Sequence, residues 1–184
     1  MKSTYYFALY LHASAFTKEE NNMQEAELNT IQKNMVKNRK VLFEKTLSFR
    51  WTDLDPNFHL RHSVYYDFGT QQRIEILEQL GLTLKLMQEQ NFGPVIFREE
   101  CVFKREIRFA DTIRIRAKIT KMKPDASRWT FQHEFLNADN KICAILTLEG
   151  AWFDTKLRKI AVPTPTIAVD ILKHFPKSDD FSPF

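Results

Sequence analysis

Glycine is scarce in this chain, four in 184 residues, and no glycine-rich phosphate loop or dinucleotide fingerprint is present. The two cysteines, Cys101 and Cys143, show neither the spacing of metal ligands nor a thiol redox motif, so reduced structural thiols are expected. A serine-centred nucleophile motif is missing. So is any cluster of metal-ligating side chains, and neither a metal nor a cofactor is expected. Apolar runs all fall short of a membrane span. The net charge of +4 comes without a compact Lys/Arg cluster, which argues against nucleic acid and fits an anionic small molecule. What is abundant is phenylalanine, sixteen residues. A chain of this length and aromatic content can build one domain with a substantial core.

Residues 1–40 differ from the rest. Lys2 followed by YYFALYL and Ala13-Ser14-Ala15 imitates a secretory signal, but the apolar part is short and rich in tyrosine. From Lys18 to Lys40 the segment is polar and buries too little to offset its ordering entropy without a partner. The expectation is a disordered or loosely helical start-site extension on a cytoplasmic protein, with the domain proper over 41–162.

The stretch RWTDLDPNFHLRHSVYYDFGTQQRIEILEQL, Arg50 to Leu80, organises the chain. It reads as a strand end after Val41–Trp51, a polar turn over Thr52–Asn57, two histidines and one long helix. Ser63 is the expected N-cap. Tyr65, Phe68, Ile76 and Leu80 draw an apolar stripe that Gln72 interrupts. Gly69 costs roughly 1 kcal/mol inside a helix and makes sense if a strand crosses closely there. Asp55 sits just before a helix start whose amides point outward, a pairing suited to attacking and polarising a carbonyl.

After the breaker Asn91-Phe92-Gly93-Pro94 the chain has the period of strands. Residues 95–109 read as one strand, or two joined by a bulge near Glu99-Glu100. Ile113, Ile115, Ala117 and Ile119 alternate with Arg114, Arg116 and Lys118. Trp129, Phe131, His133 and Phe135 alternate likewise, and Ala144, Leu146, Leu148, Gly150 and Trp152 share a face. The alternation predicts an antiparallel sheet with one apolar and one wet side. With a single long helix to cover, the sheet must wrap around it, an α+β hotdog fold. Residues 163–184 read as a tail with at most a short helix at Ile167–His174.

RWTDLDPNFHLRHSVYYDF resembles the signature of acyl-CoA thioesterases in the 4-hydroxybenzoyl-CoA thioesterase branch of the hotdog superfamily. The resemblance runs from residue 41 to about 160 and includes EIRFADTIRI and EGAWFDTKLRKIAVP. It implies that Asp55 is catalytic, that the amide of His62, with Ser63 beside it, polarises the thioester oxygen, and that the protein is a homodimer or homotetramer. Coenzyme A would enter only as part of the substrate. Two departures change the shape of the pocket and so the acyl group: Phe58 stands where a glycine often precedes the histidine, and Arg61-His62 replace a common asparagine pair.

Residue by residue, several roles stay open. Asp55 serves as base for water or as nucleophile, against the plainer reading that it caps its own turn. His59 either hydrogen-bonds Asp55 or holds the loop as a neutral donor. Asp53 reads as a turn residue. Arg114, Arg116 and Lys118 read as a solvated face, with Arg158 and Lys159 as further candidates for CoA phosphates. Two other functions compete with acyl-CoA hydrolysis: a hotdog hydratase or dehydratase, which pairs an aspartate with a histidine five positions later, and a non-catalytic acyl-CoA-binding module.

Overall fold

Helix α1 (Val64–Gln79) is the hub of the computed structural model, which describes residues 43–184. At 16 residues it is about 24 Å long, and it buries Val64, Tyr65, Gly69, Gln72, Arg73, Ile76 and Leu77. The 3.6-residue period is intact, but two of the inward positions are polar. Gln72 therefore does not interrupt the buried face; it is satisfied within it. Its Nε2 donates to the carbonyls of Phe43 and Ile115, each at 3.0 Å, and its Oε1 lies 2.7 Å from His133 Nδ1. Arg73 closes the network through Thr70 Oγ1 (2.9 Å), Glu99 Oε1 (3.3 Å) and His133 Nε2 (3.3 Å). An arginine can only donate, so Nε2 of His133 accepts and Nδ1 carries the proton toward Gln72. That is the neutral imidazole, and burial, with Arg73 beside it, holds the His133 pKa well below its ordinary value.

Gly69 meets its expectation. A Cβ there would lie 2.3 Å from Leu146 Cδ2, because a strand crosses the helix at van der Waals distance. Ser63 does not. It precedes the helix, but its backbone is already helical (φ −69°, ψ −26°) and its hydroxyl makes no capping bond.

The main path of a seven-stranded sheet is formed by β1 (Glu44–Thr46), β2 (Phe92–Phe103), β3 (Arg114–Met122), β4 (Arg128–Leu136) and β5 (Ile142–Asp154), in the order β1-β3-β4-β5-β2, with every pairing along that path antiparallel. The expected strand over Val41–Trp51 shrinks to β1, and Trp51–Asp53 form a 3-10 turn. The strand expected over 95–109 starts earlier and stops at Phe103, and its register shifts between Ile96 and Arg98 rather than near Glu99-Glu100. Short helix α2 (Leu84–Glu89) is capped by Thr83, whose Oγ1 accepts from Leu86 N at 3.1 Å. It buries Met87, with Leu82 buried just before it.

The alternation of β3, β4 and β5 puts Ile113, Ile115, Ala117, Ile119, Phe135, Leu146 and Leu148 in the core with Trp129 and Trp152. This is the curled antiparallel sheet around one long helix of the hotdog fold. The outer side is drier than alternation alone suggests. Glu134 is buried between Arg116 (2.7 Å) and Lys118 (2.5 Å), and Arg114 pairs with Glu44.

The C-terminal segment is not a tail. After the small β6 (Lys159–Ile160), which pairs β5, α3 (Thr166–Leu172) buries Ala168, Ile171 and Leu172. Phe175 follows, packing edge-on to Phe43 and Phe131 with ring centroids 5.2 and 4.9 Å away. Strand β7 (Lys177–Pro183) then pairs β3 in parallel over Ile119–Met122, on the edge whose first half β1 occupies. One compact unit accordingly spans Val41–Phe184 rather than ending at 162. The extension expected over 1–40, and the first two residues of the expected strand, lie outside the described residues.

Candidate active site

The site begins with the turn that precedes α1. Arg50 and Asp53 brace its entry: Arg50 N donates to Asp53 Oδ2 (2.8 Å) and the guanidinium to Oδ1 (2.9 Å). Burial of the Asp53 carboxyl pushes its pKa up, but the Arg50 hydrogen bonds outweigh that and leave it lowered. The Asp53 carbonyl also accepts from Arg61 N at 2.9 Å, fastening the far end of the loop. Asp53 is thus structural, as its place in the sequence suggests.

Within the loop, Asp55 N donates to the His59 carbonyl (2.8 Å) and Phe58 N to the Asp55 carbonyl (3.0 Å). The Asp55 carboxylate folds back on the same turn. Oδ1 accepts from Asn57 N (2.8 Å) and His59 N (3.0 Å), while Oδ2 has no partner among the described residues. The turn reading and the chemical reading of Asp55 are therefore compatible, since each uses a different oxygen. Phe58 sits at φ +62°, a left-handed conformation that costs a side-chain-bearing residue about 1–2 kcal/mol. Its ring lies against Trp51, with centroids 6.1 Å apart.

The loop is held from the side by residues 104–113. Leu60 N donates to the Ile107 carbonyl (2.7 Å), and His59 forms a bridge with Arg108. This brings Glu106 to His59: Nε2 to Oε2 is 3.0 Å, and the other Glu106 oxygen takes Arg108 at 2.6 Å. The His59 side chain therefore pairs with Glu106 and not with Asp55, although its backbone amide does serve Asp55.

Asp55, His59 and His62 line one cleft of about 390 Å³, together with Tyr65, Lys104 and Glu106. Ser63 does not line it. At the helix start, Arg61 N and Val64 N are used within the loop, whereas the amides of His62 and Ser63 have no acceptor among the described residues. A carboxylate with one unbonded oxygen thus shares a cleft with the partly positive start of a helix. Such a site can attack or hydrate a carbonyl and take up the charge that develops on its oxygen.

The thiols are poor competitors as nucleophiles. Burial pushes Cys101 up to about 12 and raises Cys143 as well, and it is the thiolate that reacts. Among the described residues no group of three or more His, Cys, Asp or Glu side chains could hold a metal ion. None of their helices is long and apolar enough to cross a membrane. The cations Arg114, Arg116 and Lys118 are engaged by Glu44 and Glu134, and Arg158 stacks on Phe153 at 5.3 Å. The cleft instead offers Lys104 and Arg105, which sequence reading passed over as strand residues. Glu106 was missed for the same reason. In the sequence Tyr65 reads only as part of the helix's apolar stripe.

The Thioesterase-like superfamily model matches residues 49–172. None of the curated proteins matches the chain. Among solved structures, a Staphylococcus aureus protein in complex with CoA aligns with TM-score 0.66 and 16% identity, over 74% of this chain and 86% of its own. A 1,4-dihydroxy-2-naphthoyl-CoA thioesterase from Synechocystis gives 0.61 and 18%, over 72% and 98%. A DHNA-CoA thioesterase from Staphylococcus aureus gives 0.57 and 14%, over 64% and 78%. At these identities the structural likeness shows a shared fold.

Proposed function

The chain belongs to the thioesterase-like superfamily, and from that premise we propose that it hydrolyses an acyl-CoA thioester to a carboxylic acid and CoA. The observation that carries this reading is that Asp55, with its unbonded Oδ2, shares one cleft with His62, whose amide is unpartnered, the unpartnered Ser63 amide following next in the chain. The amides take the thioester oxygen and stabilise the charge it gains. In one route Asp55 accepts a proton from water as the water oxygen attacks the carbonyl carbon. The tetrahedral intermediate then collapses, the C–S bond breaks and CoA leaves as its thiolate. In the other, Asp55 attacks directly, expels the thiolate and forms a mixed anhydride that water opens. His59, tied to Glu106, orients the loop through the hydrogen bond its backbone N–H donates to Asp55 Oδ1. Lys104 and Arg105 are the cations nearest to hand for the phosphates of the CoA moiety. Solved relatives named as CoA thioesterases, and one solved with CoA, support the substrate class.

The hydratase alternative needs an aspartate and a histidine working as a side-chain pair, and here the imidazole points to Glu106 instead. A homodimer belongs to the proposal too. Among the described residues β2 pairs only with β5, and Ile96, Phe97, Val102 and Phe103 on this edge strand are exposed, which proteins usually cover. A panel of acyl-CoA substrates assayed for free thiol tests the function. Thiol release from saturated acyl-CoA is expected, and binding without release on every substrate would contradict it.

A further inference from the structure

Tyr65 is 3% exposed, yet it lines the cleft and its hydroxyl has no hydrogen-bond partner among the described residues. The ring is packed while the hydroxyl oxygen is not sealed off from the cleft, the amphipathic placement a tyrosine suits. The ring is fixed by two edge-on contacts, to Phe103 and Phe135, each with centroids 5.0 Å apart. Tyr65 is the second residue of α1 and His62 lies in the turn just before it, and both line the cleft. Helical side chains lean back toward the N-terminus, which carries the phenol over the first turn, toward the unpartnered amides. We propose that the Tyr65 hydroxyl donates a hydrogen bond to the substrate's thioester carbonyl oxygen, making Tyr65 a catalytic residue alongside those amides.

This assignment rests on the thioesterase reading and deepens it. Burial and the acidic groups nearby, Cys101, Cys143 and Asp55, push the phenol's pKa up. Tyr65 thus keeps its proton throughout the working range and cannot replace Asp55 as base. The proton removed from water goes to Asp55, and the O–H bond of Tyr65 does not break. Its hydrogen bond strengthens as the carbonyl oxygen gains charge, so the effect belongs to the transition state and is read in kcat.

Tyr65→Phe deletes one oxygen and keeps the ring contacts. With the best acyl-CoA of the panel, kcat should fall about 10²-fold while KM rises by no more than about tenfold, the ground-state share of the same hydrogen bond. Circular dichroism and Tm should stay at wild-type values. Calorimetry with acetonyl-CoA, which keeps the carbonyl oxygen but has no cleavable thioester, gives a second reading. The variant should bind it about five- to tenfold more weakly. A wild-type kcat in Tyr65→Phe overturns the assignment, and so does unchanged acetonyl-CoA affinity. If the wild type hydrolyses no acyl-CoA but the affinity loss is seen, the contact stands and the thioesterase reading falls. If the wild type fails to bind acetonyl-CoA at all, both fall.

Discussion

Mild acidification, above the range where carboxylates titrate, should weaken the fold through His133. Its imidazole is fully buried, donates to Gln72 and accepts from Arg73, and its pKa lies well below the ordinary value. Arg73, Glu99 and Gln72 are the polar groups around it, and a second positive charge beside Arg73 would be opposed. The unfolded chain has no such constraint and takes up a proton at about pH 6.5. This contribution is therefore complete above pH 6.5 and is lost as pH falls, at about 1.4 kcal/mol per pH unit once below that point. The loss continues down to the folded-state pKa. His133→Asn isolates it. The amide can still donate toward Gln72, but Arg73 loses an acceptor and a cavity opens, so the variant should be about 2–3 kcal/mol less stable at pH 7.5. The variant cannot titrate there, so the gap between the two proteins should narrow as pH falls to 5. Urea unfolding at pH 7.5, 6.5, 5.5 and 5.0 measures that gap. A gap that stays constant across the series would refute the neutral, buried imidazole.

Two further predictions concern packing and assembly. Gly69→Ala gains about 1 kcal/mol of helix propensity, but its methyl would lie 2.3 Å from Leu146 Cδ2. A net destabilisation of about 1–2 kcal/mol, read as a lower urea midpoint, is expected. Val102→Lys puts a charge on the exposed apolar edge strand β2. Light scattering should find a dimer for the wild type at micromolar concentration and a shift toward monomer for the variant; a monomeric wild type contradicts the shared-edge proposal.

The parts of the fold visible in the sequence are those fixed by local periodicity. Ile113, Ile115, Ala117 and Ile119 face the core because strands alternate, and Gly69 marks a close crossing because nothing larger fits there. What stayed hidden depends on partners distant in sequence. Gln72 looks like a flaw in an apolar stripe until the Ile115 carbonyl, 43 residues on, and His133, 61 residues on, are seen to bond it. Strand β7, KSDDFSP, has no apolar alternation, and it is a strand because the edge of β3 beyond β1 is open to pair. At the site, Asp55 was legible from its turn, whereas Glu106 reached His59 only through the bridge between two loops. Tyr65 was legible as a buried helix residue, and its unpartnered hydroxyl was not.

If Asp55 performs the chemistry, Asp55→Asn removes it and leaves the turn in place. The amide oxygen of asparagine can still accept from Asn57 N and His59 N, the two bonds that shape the turn. Folding should therefore be kept while the base or nucleophile is removed. Asp53→Asn is the control, since that carboxylate braces Arg50 and does not line the cleft. The measurement is kcat for thiol release by both variants, with Tm recorded alongside. A fall of about 10²-fold or more in Asp55→Asn, with a much smaller change in Asp53→Asn, is the expected result. Near-native turnover in a folded Asp55→Asn would contradict the account and leave Asp55 as a turn residue alone.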